Sequence, residues 1–385
     1  MSDLKTDTRR YYLDWLRVIA FSLLVFYHTG LMFVDWGFHI QNDIFSNDLK
    51  LPMLFLNQWR LPLLFFISGA GIKFALKKRT AGAFLKERFV RIFIPLVFGI
   101  LVVIPPQVYI ERLYQNKFVG SYFQFYPHFF DGVYPQGNFT WNHLWFLVYL
   151  FVFTLITLPL FLLFRTEKGT NFVQRLHTFL AGRAALLFVF AVPLIIVEIT
   201  LRAAWPTTRN LISDWYNFAF YILIFIYGYF TASTEKLWNA IEKDTWLYVF
   251  VGCVSFSMIY FGLHAKGKNF LESSALGYFG FQVFSSVNVV TWILGLIGLA
   301  KKYFNKNLPV LQYTNKAVYP FYILHQTVLL IAGYFILKTD YGIAVKYLLI
   351  VAATFIGSMV LYELVIRRVP WIGFFFGVKP EKSIS

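Results

Sequence analysis

Ten apolar runs, each of roughly membrane-crossing length, constrain this chain more than anything else in it. They lie near residues 12–34, 51–76, 90–110, 142–164, 184–202, 215–231, 245–263, 275–300, 318–337 and 343–366. A bilayer core of about 30 Å takes about 20 helical residues, and lipid admits only segments whose backbone groups are satisfied internally. The expected fold is an all-α polytopic membrane protein, a bundle of about ten transmembrane helices. With 58% hydrophobic and 14% charged residues, a soluble globular domain is excluded. No loop is long enough for a separate domain, so the division expected is a segment 1–11, a membrane domain 12–366 and a tail 367–385.

Charge orients the bundle. With the boundary residues Arg91 and Arg202 counted in their loops, 23 of the 35 Lys and Arg residues fall in the N-terminal segment, alternate loops and the tail, eight in the opposite loops and four, Arg17, Arg60, Lys73 and Lys346, within the runs. By the positive-inside rule both termini are expected to be cytoplasmic, as an even number of spans also requires. The net charge of +16 is spread over those loops. That pattern suits anionic lipid headgroups and gives a nucleic acid no basic domain to bind. Cys253, the lone cysteine, is expected to be a buried apolar filler, and no metal cluster is expected. The first run is too long for a cleaved leader and is expected to remain in the mature protein.

Chemistry concentrates in that first run. Arg17 and His28 are eleven residues apart, about three helical turns, so they share a face roughly 16.5 Å apart along the axis. Asp14, one turn before Arg17, joins them. Titratable groups at membrane depth mark a functional site by default. The second run places Arg60 near its outer end and Ser68, Gly69, Ala70 and Gly71 deeper, a small-residue cluster that suits either a ligand or a neighbouring helix. Arg88 and Arg91 form a pair of guanidinium forks at the start of a helix, fit for phosphate oxygens or for anchoring topology. The loop 111–140 is aromatic, as a sugar-stacking surface or an interfacial belt would be. His143 and Trp145 open the fourth run near the outer face. The ninth carries Tyr322, His325 and Gln326 deep in apolar sequence, and Glu198 is an intramembrane acid.

Taken together, Arg17-x10-His28, Phe65-Phe-Ile-Ser68-Gly69 and Arg88-x-x-Arg91 followed by Pro95 resemble the membrane acyltransferase-3 family, over nearly the whole chain. Tyr12-Leu-Asp14, Arg60, His143-Leu-Trp145-Phe-Leu and the segment from Leu361-Tyr-Glu363 through Pro370 and Phe376 to Lys379-Pro380 draw the likeness towards members that succinylate periplasmic glucans. The resemblance implies a bacterial inner-membrane enzyme that moves acetyl or succinyl from cytoplasmic acyl-coenzyme A to a hydroxyl of an extracytoplasmic glycan or glycolipid. Acyl-coenzyme A is then a donor substrate, and no cofactor is held permanently. Arg88 and Arg91 would hold the nucleotide phosphates, and Ser68 and Gly69 would approach the thioester. His28 would act as base or transient acyl carrier, with Arg17 orienting the donor and Asp14 fixing Arg17. His143, Trp145, Tyr322, His325 and Arg60 would face the substrates. Many members carry glutamates after Trp-x-Leu in the fourth span; residues 146–151 hold no carboxylate, so that role does not carry over. A proton-coupled transporter or flippase using Arg17, His28 and His325 as a polar relay is the alternative from a different class.

Overall fold

The computed structural model describes residues 9–180, 185–265 and 274–378. Residues 1–8, which make up most of the N-terminal segment, and 379–385, which include Lys379-Pro380, lie outside the described residues. Every one of the ten apolar runs is helical: α1 Tyr11–Leu31, α2 Lys50–Lys77, α3 Ala81–Tyr114, α5 Asn142–Leu163, α7 Ala185–Leu201, α8 Trp215–Thr231, α10 Thr245–Ala265, α11 Ala275–Tyr303, α12 Pro309–Ile336 and α13 Ile343–Ile366. Short helices join them: α4 Tyr122–His128, α6 Glu167–Leu180, α9 Glu235–Lys243 and α14 Pro370–Phe375. Among the described residues there is no strand beyond one isolated bridge, Val133 to Phe139.

The span count differs from the expectation. Seven of these helices are long and apolar enough to cross a membrane, and eight if α8 and α9, bent by 105° at a short break, form one span. Two runs fall short for different reasons. Helix α7 has only 17 residues. Helix α1 has 21 residues, with Asp14, Arg17 and His28 interrupting its apolar sequence.

Two contacts set the frame. Helices α1 and α12 run parallel, in register from Arg17 beside Asn315 to His28 beside His325. The register continues to Gly333, where a Cβ would meet Met32 Cε at 2.8 Å. Helices α2 and α8 cross at a glycine pair. A Cβ on Gly69 would lie 1.9 Å from the Phe225 carbonyl oxygen, and one on Gly228 would lie 1.9 Å from that of Phe66. Small residues permit this approach because lipid offers no hydrophobic drive between helices, leaving packing to hold them. Ser68 donates to the Leu64 carbonyl at 2.7 Å within its own helix. The small-residue cluster thus serves helix packing, and the expected approach of Gly69 to a thioester is replaced by contact with α8.

Helix α3 is irregular where proline removes backbone donors. Its π turns at Phe89–Phe93 and Gly99–Val103 precede Pro95 and the pair Pro105-Pro106. Pro105 cannot bond the Leu101 carbonyl four residues back; the Tyr126 hydroxyl donates to it instead, at 3.0 Å. Thr327 on α12 likewise donates to the Val103 carbonyl at 2.7 Å. Cys253, expected to be buried, is exposed. Its helix, α10, packs chiefly on α11 and turns Phe250, Val254, Met258 and Phe261 outward.

The glycine crossing makes a sharp comparison. Gly69→Ala should destabilise the protein by about 1–3 kcal/mol or more, because backbone cannot yield as a side chain does. Gly71→Ala, two residues on with open space around it, should be neutral or stabilising, as alanine favours helix. Thermal unfolding of both variants in detergent measures the difference.

Candidate active site

The parallel pair α1 and α12 carries the site along its length. At one end, Arg17 Nη2 donates to Asp14 Oδ1 at 2.8 Å and bonds Asn315 Oδ1 on α12. Asp14 also pairs with Arg9 at 2.8 Å, so a carboxylate held by two guanidinium groups fixes the rotamer of Arg17, as the i,i+3 spacing led one to expect. Arg91 is near enough to act on Arg17 electrostatically, which brings the basic residues of α1 and α3 to the same end of the bundle.

The π turn at Phe89–Phe93 breaks the α-helical i,i+3 relation of Arg88 and Arg91. Arg88 lies over the Phe84 ring, 4.9 Å from its centroid, with a buried Nε that has no acceptor. Arg91 reaches Glu87 and the Gly377 carbonyl, each at 3.5 Å. Tyr319 packs into the same corner, and its hydroxyl is also buried without a partner. Buried polar groups are normally satisfied, and the Arg88 Nε and Tyr319 hydroxyl find no partner among the described residues.

At the other end stand three histidines. His325 Nδ1 lies 2.6 Å from the Tyr322 carbonyl, and His325 Nε2 lies 3.2 Å from His28 Nδ1. A carbonyl oxygen only accepts, so His325 carries its proton on Nδ1 and offers Nε2 as a lone pair. His28 must then donate from Nδ1. Its Nε2 is left as an unprotonated nitrogen with no hydrogen-bond partner among the described residues. The two rings stack 5.3 Å apart. His143, T-shaped against His325 at 5.1 Å, donates Nε2–H to the Ile323 carbonyl at 3.1 Å and accepts at Nδ1 from Gln107 at 3.4 Å. The Tyr322 hydroxyl donates to the His143 carbonyl at 2.6 Å. Tyr322 and His325 therefore hold and orient His28, and His143 braces them.

Several partners, Gln326 apart, were not singled out by the sequence. The Thr327 hydroxyl, committed to Val103, accepts from Gln107 Nε2 at 2.7 Å, which fixes that amide. Gln107 Oε1 then accepts from Asn142 Nδ2 at 2.9 Å, and Asn142 Oδ1 from Gln326 at 3.0 Å and His39 Nε2 at 3.2 Å. His39 Nδ1 faces the buried carboxylate of Glu111. Tyr134 donates to that carboxylate at 3.2 Å. Burial, then the Glu111 charge and hydrogen bond, push the Tyr134 phenol up to about 12, so it stays a donor. Gln107 and Glu111, one turn apart in an apolar helix, carried a signal; His39, on a loop, carried none.

Trp145 is buried edge-on against Tyr149, with Arg209 5.5 Å above its ring. Arg60 is buried beneath the ring of Tyr27, 4.3 Å from its centroid. Glu198 is committed to Tyr216 at 2.6 Å and Arg202 at 2.7 Å, which makes it a structural anchor between α7 and α8. The aromatic loop divides: Phe125 and Phe129 are buried as part of the main hydrophobic core, while Phe123 and Phe130 stay exposed.

An unprotonated nitrogen on a half-buried imidazole at the end of a polar helix seam can take a proton from a hydroxyl or attack a carbonyl carbon. Glucans biosynthesis protein C of Salmonella heidelberg (strain SL476) is 21% identical over 387 residues, covering 97% of this chain and 95% of the relative. The proteins of the same name from Salmonella typhi and Salmonella typhimurium match to the same extent. No solved structure matches the chain. The acyltransferase-3 family pattern, described as an acyltransferase domain, matches residues 10–363. With that pattern running from Arg10 to Glu363 and enclosing both the Arg17 and His28 ends of the seam, the chain belongs to the acyltransferase-3 family.

Proposed function

We propose that this protein is an O-acyltransferase of the bacterial inner membrane that moves an acetyl or succinyl group from cytoplasmic acyl-coenzyme A to a hydroxyl of an extracytoplasmic glycan or glycolipid. In this reading all ten apolar helices traverse the bilayer, and both termini are cytoplasmic. The Arg17 end of the seam then faces the cell interior and the His28 end faces outward. The observation that carries the reading is the hydrogen-bond chain from the Tyr322 carbonyl through His325 to His28, which leaves His28 Nε2 as the unpaired base. The relatives' part in glucan biosynthesis, as their name has it, supports a glycan acceptor.

The donor's nucleotide phosphates meet Arg88 and Arg91, where the Arg88 Nε and the Tyr319 hydroxyl have no partner among the described residues. Its thiol arm follows the seam past Arg17 and presents the thioester at His28. The acceptor hydroxyl gives its proton to His28 Nε2 as its oxygen attacks the carbonyl carbon. Collapse expels the coenzyme A thiolate, which takes that proton back. His325 accepts from His28 Nδ1 throughout, so the imidazolium that forms keeps a neutral partner aligned by the backbone.

Two measurements test this. In proteoliposomes loaded with acyl-coenzyme A, His28→Ala should lower acyl transfer by at least about 10²–10⁴-fold, the usual worth of a positioned base. His325→Phe should lower kcat by less, with the donor KM unchanged. Near-normal transfer by His28→Ala removes the assignment. Replacing Arg88 and Arg91 together with Gln should raise the donor KM and leave kcat at saturation nearly intact; an unchanged KM would make them topology anchors.

A further inference from the structure

Arg60 is the most buried described cation, 2% exposed, and it is unlike the others. Buried Arg112 donates to Asn138 Oδ1 and the Gly137 carbonyl, each at 2.7 Å. Buried Lys346 donates to Asn42 at 3.0 Å and the Leu337 carbonyl at 2.9 Å. Arg60 has no acceptor among the described residues, and its Nε and Nη1 are enclosed and orphaned. The titratable groups acting on it are Tyr27, Tyr221 and a second cation, Arg209; no carboxylate is among them. A charge out of water without a counter-charge is expensive, and a fork of unsatisfied N–H groups is more so. Such a group persists where a ligand supplies the anion.

The position of Arg60 says where that anion belongs. The guanidinium lies 4.3 Å from the Tyr27 ring, whose hydroxyl donates to Asn57 at 3.2 Å. The Tyr27 ring is 5.9 Å from the His28 ring, and Arg60 is close enough to act electrostatically on both His28 and His325. From the acyltransferase reading, on which this step rests, the group that comes to His28 is the acyl carbonyl. We infer that Arg60 is the anion-holding residue for the transferred acyl group, receiving a negatively charged acyl oxygen in its unsatisfied fork beside His28.

Two oxygens share that chemistry. As the acceptor oxygen bonds to the thioester carbon, the carbonyl π pair moves onto the carbonyl oxygen; when the C–S bond breaks, the pair returns. A preformed cation aimed at that oxyanion lowers the barrier without reorganisation. A carboxylate at the far end of a dicarboxylic acyl chain would fill the same fork permanently.

The experiment compares Arg60→Gln and Arg60→Lys with the unaltered protein in proteoliposomes, using acetyl- and succinyl-coenzyme A. It adds the binding of two non-reacting donor analogues, a neutral thioether and a tetrahedral phosphonate. If the anion is the oxyanion, Arg60→Gln lowers kcat by about 10²–10³-fold with both donors. It also abolishes the preference for phosphonate over thioether while thioether binding is kept, and Arg60→Lys recovers part of the rate. If the anion is a terminal carboxylate, Arg60→Gln raises the KM for the succinyl donor alone and leaves acetyl transfer unchanged. The inference is overturned if Arg60→Gln stays within about twofold of the unaltered protein with both donors, or if phosphonate and thioether binding fall in equal proportion. Absence of transfer by the unaltered protein with either donor would overturn the acyltransferase reading instead.

Discussion

The hydrogen bond from His325 Nδ1 to the Tyr322 carbonyl determines the chemistry available to this protein. An imidazole on its own exchanges its proton between two nitrogens, and a base of uncertain tautomer is a base only part of the time. Here a backbone carbonyl, which cannot donate, sits 2.6 Å from His325 and removes the ambiguity. The constraint passes to His28 through one further hydrogen bond. Ser-His-Asp enzymes use a carboxylate to hold a histidine in one tautomer. A second imidazole anchored to backbone serves the same purpose without placing a formal negative charge in an apolar bundle, where it would be costly.

The parallel packing of α1 on α12 extends that local order to the whole seam. Because the helices keep register from Arg17 beside Asn315 to His28 beside His325, the cationic end and the imidazole end are held at a fixed separation of roughly 16.5 Å, the rise of eleven helical residues. Fixed separation is what a substrate with its charge at one end and its reactive carbon at the other requires. It also explains the compromise in α1, which gives up apolarity at three positions to carry the site. The crossing of α2 on α8 at Gly69 and Gly228 needs no polar group and contributes rigidity.

How much of this was legible in the sequence follows from which contacts are local. The eleven-residue spacing of Arg17 and His28 and the three-residue spacing of Tyr322 and His325 are properties of single helices, and both pairs proved to line one seam. Asp14 beside Arg17 is local in the same way. Ser68 and Gly69 were ambiguous because close backbone approach serves a helix as well as a ligand, and only the position of Phe225 decides between them. His39 could not be found, since its partnership with Glu111 joins a loop to a helix 72 residues away. Cys253 was misplaced because apolar sequence does not distinguish a face turned to protein from one turned outward.

Helix α3 shows a deeper limit. Each π turn inserts one residue into the α-helical repeat and so rotates everything beyond it by about 100°. Two such turns precede Gln107 and Glu111, so the face on which these residues project cannot be obtained by counting 3.6 per turn from Arg88 or Arg91. The prolines that follow each turn are visible in the sequence, but the compensation is not. It depends on Tyr126 donating to the Leu101 carbonyl and Thr327 donating to that of Val103. The second of these bonds also frees Thr327 to accept from Gln107, and through Gln107 it orients Asn142 and braces His143. The irregular end of α3 and the alignment of the histidines are therefore joined at one point: the Gln107 amide bonds the Ile104 carbonyl at 2.8 Å and leaves that of Val103 to Thr327, which in turn holds the Gln107 side chain.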